Sequence, residues 1–176
     1  MKLNIRETVL FGFLGAIMFV LKWIMEILPN IHLLGVFIVA ITVVYRAKAL
    51  YPIYTYIIIN GFIAGFSAWW VPYLYIWLPL WTVTMLLPTE MPKFLKPIVY
   101  AAVCGVHGYL FGTLYAPAQA LMFGLNFKAT IAWIVAGIPF DIVHGTSNII
   151  CGAILIVPII MALQKANKQV LKISNN

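Results

Sequence analysis

The chain has 176 residues, of which 64% are hydrophobic and only 9% charged, with a mean hydropathy of +1.04. A water-soluble domain carries roughly 25% charged residues, so most of this chain is excluded from contact with water. The net charge of +7 does not mark a nucleic-acid surface, because the basic residues sit in short segments between apolar runs and form no continuous face.

A helix that crosses a bilayer needs about 20 predominantly apolar residues, fewer where the membrane thins. Six runs approach that length, at 8–28, 31–45, 49–67, 71–87, 98–118 and 139–162, the second short and the fourth slightly so. They are continuous rather than alternating, which excludes β-barrel strands. No polar stretch is long enough for a second domain. The sequence therefore predicts one all-α integral membrane domain with six transmembrane helices.

The first run opens with Lys2 and Arg6 in the manner of a signal peptide. No small-residue cleavage site follows, and Lys22-Trp23-Ile24-Met25-Glu26 comes instead, so the span reads as uncleaved. Gly12 and Ala16, with Gly15 beside them, form a small-xxx-small face that lets another helix approach closely. That helix belongs either to this protein or to a second membrane subunit. Lys22 and Glu26 stand at i, i+4 and read as an ion pair, though both also border any site opening at that end. His32 follows in the first outer loop.

Between the third and fourth runs lies Trp69-Trp70-Val71-Pro72-Tyr73-Leu74-Tyr75-Ile76-Trp77-Leu78-Pro79-Leu80-Trp81. Trp70, Tyr73, Trp77 and Trp81 recur at helical spacing and form one stripe. An interfacial aromatic belt accounts for Trp69, Trp70 and Tyr73. Trp77 and Trp81 run one to two turns deeper, which suits a ligand-facing stripe. The fifth run carries Cys104, His107 and Tyr115, with Gln119 just after it. Tyr115 and Gln119 are i, i+4 near the outer side, whereas a lone mid-span His107 among glycines reads as a packing residue. Cys104 and Cys151 match no metal spacing and read as buried thiols.

The segment 130–138 reads as an outer lead-in to the last span, since Pro139 cannot continue a helix without freeing a carbonyl. Beyond it Asp141, His144 and Asn148 stand at i, i+3 and i+7, one helix face. Such groups at membrane depth are costly and must face protein or a wet cavity. Asp141 has a second account, an acid near the positive end of a helix that starts at Pro139. That account leaves His144 and Asn148 unexplained.

Orientation follows from Lys and Arg. With the N-terminus cytoplasmic, the inner segments hold Lys2, Arg6, Arg46, Lys48, Lys93, Lys96, Lys165, Lys168 and Lys172, against Lys128 and Lys22 outside. This bias alternates loop by loop and puts both termini in the cytoplasm. The chain has four acids, Glu7, Glu26, Glu90 and Asp141, and no phosphate-binding loop, H-E-x-x-H or paired catalytic carboxylates. It reads as a non-enzyme without a cofactor, unable to hydrolyse ATP by itself.

The stretch Ala136-Gly137-Ile138-Pro139-Phe140-Asp141-Ile142-Val143-His144-Gly145-Thr146-Ser147-Asn148 resembles the G-x-P-F-D-x-x-H…N last helix of the substrate-binding S-components of energy-coupling-factor (ECF) vitamin transporters. Six spans with both ends inside also resemble that family. The resemblance implies a bacterial-type plasma membrane, a solute contact at Asn148, and association with a membrane coupling subunit and two ATPase subunits. The family docks through an A-x-x-x-A face on its first helix; Gly12-Phe13-Leu14-Gly15-Ala16 departs from that pattern and leaves Gly12 and Ala16 as the docking candidates.

The expectation is a subunit that captures a small vitamin-like solute from outside. Its candidate site is Trp70, Tyr73, Trp77, Trp81, Tyr115, Gln119, Asp141, His144 and Asn148. Stacking between rings suits a flat heteroaromatic, and Asp141 favours a ring N–H or a cation over an anion. Among the family's substrates this points to pyridoxine-like or hydroxymethylpyrimidine-like compounds, with riboflavin, cobalamin or a queuosine precursor still open. The rival reading is a stand-alone proton-coupled secondary carrier with Asp141 and His144 as the relay. Internal repeats would support that rival, and none is evident.

Overall fold

A computed structural model describes residues 3–172 of the chain. Lys2 and the extreme C-terminus, counted above as cytoplasmic, lie outside the described residues, as does the side chain of Lys172. Among the described residues the chain forms seven α-helices, two short 3-10 turns and no strand.

Helix α1, Ile5–Ile24, starts at a capping box in which the Asn4 side chain accepts the Glu7 N–H at 2.8 Å and Glu7 accepts the Asn4 N–H at 3.2 Å. A 3-10 turn, Met25–Ile27, extends it, and Lys22 and Glu26 pair at 2.8 Å as their spacing predicts. Helix α2, Leu34–Tyr45, is apolar all round and buried at every residue from Leu34 to Thr42. Such a helix belongs inside a bundle, and α2 is wrapped chiefly by α7, α4 and α5. Its 12 residues rise only about 18 Å, a length that protein neighbours tolerate where lipid would not.

Arg46, with φ of 54°, turns the chain into a 3-10 segment, Arg46–Ala49, and then α3, Leu50–Ala64. Helix α3 lies against α1, where Gly15 is packed so closely that a Cβ there would come within 2.6 Å of the Thr55 side chain. Gly65, at φ of 88°, ends α3 in a conformation that costs glycine little. Helix α4, Trp70–Leu86, contains Pro79. Helices α5, Leu95–Tyr109, and α6, Phe111–Phe123, are almost one helix, broken only at Leu110. Asn126 then caps α7, Phe127–Lys172, by accepting the Ala129 N–H at 2.9 Å.

Contacts sort the connections into two ends. At one, Glu7 pairs with Lys48, Arg46 bonds the Met85 carbonyl, and Arg46, Lys93, Lys96 and Gln164 line a common cavity. At the other, His32 meets His144, Tyr115 bonds Trp69, and Tyr115 stacks on Trp133. The first is the basic end of the bundle. Much of the outside is apolar, with Ile27, Leu121 and Phe127 each more than 80% exposed. Four stretches, Ile5–Ile27, Leu34–Ala64, Leu95–Phe123 and Phe127–Lys168, are long and apolar enough to cross a membrane.

Two expectations change. The predicted spans at 31–45 and 49–67 correspond to the shorter α2 and α3, and the fifth extends to Phe123 through α6. More consequentially, 130–138 is no separate lead-in. Helix α7 runs for 46 residues, about 69 Å, through both Pro139 and Pro158. Proline removes one hydrogen bond and bends a helix, but neighbours can hold the two halves in line.

The α5–α7 contact depends on glycine. A Cβ on Gly108 would sit 2.7 Å from the Gly145 Cα and 2.9 Å from Asn148 Nδ2, whereas one on Gly137 would meet nothing. Gly108→Ala is expected to destabilise the protein by about 1–3 kcal/mol through overpacking. Gly137→Ala should leave it unchanged or up to about 1 kcal/mol more stable through helix propensity. Thermal unfolding of both variants in one detergent checks this; equal stability would contradict the close helix contact.

Candidate functional site

Helix α7 turns Asp141, His144 and Asn148 to the bundle interior, where they are 9%, 3% and 0% exposed. Asp141 reaches the break between α5 and α6. Its two carboxylate oxygens accept the Gly112 N–H at 3.0 and 3.1 Å. Gly112 lies in the first turn of α6, whose N–H groups have no partner within the helix, and a carboxylate there also complements the helix dipole. A Cβ on Gly112 would lie 2.6 Å from Asp141 Oδ2, so only glycine admits this approach. The sequence offered Asp141 the start of its own helix. Because α7 continues through Pro139, no positive end exists there, and the acid serves α6 instead.

Asn148 sits two turns further along the same face. Its Nδ2 donates to the Cys104 carbonyl on α5 at 3.3 Å, and its Oδ1 is buried without a partner. The His144 ring lies 4.4 Å from His32 and 4.8 Å from Phe111, centroid to centroid. From Phe111 the contacts continue to His107 at 6.1 Å and Trp77 at 5.8 Å, and Trp77 stacks on His107 at 5.5 Å. Trp77, His107, Phe111, His144 and His32 thus form one connected chain of rings drawn from α4, α5, α6, α7 and the α1–α2 connection.

This chain of rings is short of hydrogen bonds. His107 Nε2 donates to the Ile76 carbonyl at 2.8 Å, which makes it a tied packing residue on that side. Yet Trp77 Nε1, His107 Nδ1, His144 Nε2, His32 Nδ1 and Asn148 Oδ1 are all buried with no partner among the described residues. Burial lowers the His32 imidazole below its ordinary pKa, and the Lys22 charge adds to the effect. His32 is therefore neutral at neutral pH, with one ring nitrogen a donor and the other an acceptor. A buried unpaired polar atom costs about 1–3 kcal/mol, and proteins rarely leave several together without a water or ligand to meet them.

The remaining predicted residues divide. Tyr73 joins the cluster edge, 5.8 Å from Trp77 and 5.5 Å from Trp69. Trp70 is held to α3 by its Nε1, which donates to the Ile57 carbonyl at 2.9 Å. Tyr115 donates to the Trp69 carbonyl at 3.3 Å and lies 6.3 Å from Phe111, at the end of the ring chain. Gln119 is half-buried a turn beyond Tyr115 and makes no side-chain hydrogen bond among the described residues. Trp81 is elsewhere. Its Nε1 donates to the Arg46 carbonyl at 3.3 Å, at the basic end. The stripe is real, but it runs along α4 from Trp70 at one end of the bundle to Trp81 at the other and so cannot line one pocket.

His32, His107 and Phe111 were not in the predicted set. His107, Phe111 and Tyr115 recur every four residues, a spacing that puts them on one helical face, so two of the three were recoverable. His32 owes its place to the return of the chain into α2, which no local pattern encodes. Among the described residues no group of three or more His, Cys, Asp or Glu could hold a metal.

Family models, curated proteins and solved structures provide no match to this chain. Its geometry must carry the functional argument.

The Asp141–Gly112 contact has a direct test. Asp141→Ala leaves the Gly112 N–H unpaired and should cost about 1–3 kcal/mol, while Asp141→Asn keeps an acceptor and should cost less. Thermal unfolding measures both, and equal losses would show that charge rather than the hydrogen bond matters.

Proposed function

We propose that this protein is the solute-capture subunit of an ECF-type importer, with six membrane passes and its basic end in the cytoplasm. The observation that carries this reading is the set of five unpartnered polar atoms, four on one chain of packed rings and the fifth, Asn148 Oδ1, a helical turn from His144. A flat heteroaromatic solute with ring nitrogens and hydroxyl groups supplies what they lack, stacking on rings while donating and accepting hydrogen bonds. Base-on-aromatic stacking contributes about 1–3 kcal/mol per ring. Pyridoxine-like and hydroxymethylpyrimidine-like compounds have this character.

The rings are closed together in this structure, and His32, on the connection between α1 and α2, covers His144 from the end opposite the basic one. In this reading, displacement of His32 admits the solute from outside. Six passes are supported by the alternation of connections between the two ends. The short α2 is compatible with this because its surroundings are protein rather than lipid. Docking onto a membrane coupling subunit uses Gly12 and Ala16: a Cβ on Gly12 would meet nothing, and Ala16 is half-exposed, whereas Gly15 is spent on α3. Against the proton-coupled carrier stands Asp141, whose carboxylate is committed to Gly112.

Titration calorimetry with pyridoxine and with hydroxymethylpyrimidine tests the site. Asn148→Ala and Trp77→Phe should each weaken the binding compound by about tenfold or more, the loss of one buried hydrogen bond. Trp81→Phe, at the far end, should change little. Unchanged affinity in both Asn148→Ala and Trp77→Phe would remove the site.

Docking has a separate readout. Gly12→Leu/Ala16→Leu should abolish uptake into cells while leaving solute affinity of the isolated protein intact. Full transport by the wild-type protein without any ATPase subunit would restore the carrier.

A further inference from the structure

We propose that the basic end of the bundle is a binding site for the phosphate group of an anionic phospholipid. This stands apart from the solute site and rests only on the chain's crossing a membrane. A cavity of about 440 Å³ opens there between α2, α4, α5 and α7, and Arg46, Lys93 and Lys96 all contribute to its lining. Lys22 pairs with Glu26 and Lys48 with Glu7, and among the described residues none of Arg46, Lys93 and Lys96 has a carboxylate within ion-pair distance. The cavity lining includes no acid.

Arg46 is held in place from two sides. Its Nη2 donates to the Met85 carbonyl near the end of α4, and its own carbonyl accepts Trp81 Nε1 at 3.3 Å. Its backbone also takes a positive φ of 54°, which is uncommon for a residue with a side chain. A guanidinium has five N–H donors in a planar fork that matches phosphate geometry. With one spent on Met85, Arg46 retains donors for an anion, and Lys93 and Lys96 add mobile charge beside it.

The rest of the lining selects a lipid over free phosphate. Val157, Ile160 and Met161 form an apolar wall on α7, and Met161 is 64% exposed on the outside of the bundle. A headgroup at the cations can therefore lay an acyl chain along the flank of α7, which a free phosphate ion cannot use. Basic pockets between membrane helices bind anionic headgroups by this combination.

Native mass spectrometry of the protein in a neutral detergent, titrated with phosphatidylglycerol, tests the site. Phosphatidylglycerol should remain bound, and phosphatidylcholine should bind at least about tenfold more weakly. Lys93→Gln/Lys96→Gln should weaken phosphatidylglycerol by about tenfold or more, on the scale of two lost lysine contacts, while Lys128→Gln at the opposite end should not. Equal binding of the two lipids, or unchanged affinity in the double variant, overturns the proposal. Displacement of the lipid by an equal concentration of inorganic phosphate would overturn the lipid assignment in favour of the free ion. Should the double variant fail to fold, the wild-type protein still decides: raising ionic strength must weaken phosphatidylglycerol binding, and insensitivity to salt contradicts the site.

Discussion

The close approach of α5 to α7 is the constraint on which the rest of the interior depends. Gly105 and Gly108 on α5 face Gly145 on α7, and Cβ atoms at these positions would collide with backbone or with Ile149 and Tyr109. With no side chains on these three glycines, the two backbones come close enough for short polar side chains to cross between them. Asn148 thereby reaches the Cys104 carbonyl, and Asp141 reaches Gly112 at the start of α6. A methyl group in this seam would separate the helices and unmake both bonds. The same contact fixes His144 against Phe111, so helix packing and the ring cluster are one arrangement.

Apolar surroundings raise the stakes of each polar group inside. Several interior groups are paired within the chain: Asp141 with Gly112, Trp70 with Ile57, and Tyr75 with both Leu114 and Ala118. Eight buried polar side-chain atoms lack a partner among the described residues; Tyr45 Oη, Tyr56 Oη and Asn60 Nδ2 are scattered on α2 and α3, whereas the other five gather on or beside the ring chain. That concentration of five, rather than any one atom, is the physical basis for the proposed binding role. It also separates Asp141, which is structurally employed, from His144 and Asn148, which are not fully so.

Much of this was legible in the sequence because apolar run length and helical spacing are local properties. Every predicted run is largely helical, although only four stretches are long and apolar enough to cross a membrane, and the i, i+3, i+7 face of Asp141, His144 and Asn148 is buried as its chemistry requires. The failures share one cause, which is that partners from other helices leave no trace in the spacing of one. Pro139 was read as a boundary, yet α7 continues through it. Asp141 was offered its own helix and caps another. Trp81 belongs to the right stripe at the wrong depth, since the rise from Trp70 to Trp81 is about 16 Å and its far end meets Arg46.

The two ends of the bundle thus present different chemistries, rings and amides at one and, at the other, a cluster of cations of which Arg46, Lys93 and Lys96 have no carboxylate partner among the described residues. The central claim is that the ring cluster holds a small flat heteroaromatic solute. Native mass spectrometry of the protein purified from its membrane, followed by release and identification of bound small molecules, tests it most directly. The account predicts one heteroaromatic molecule per chain, carried by the wild-type protein and lost from Asn148→Ala of equal folded stability. A wild-type protein that binds no such compound, either as purified or after exposure to a panel of heteroaromatic vitamins and their precursors, would contradict it.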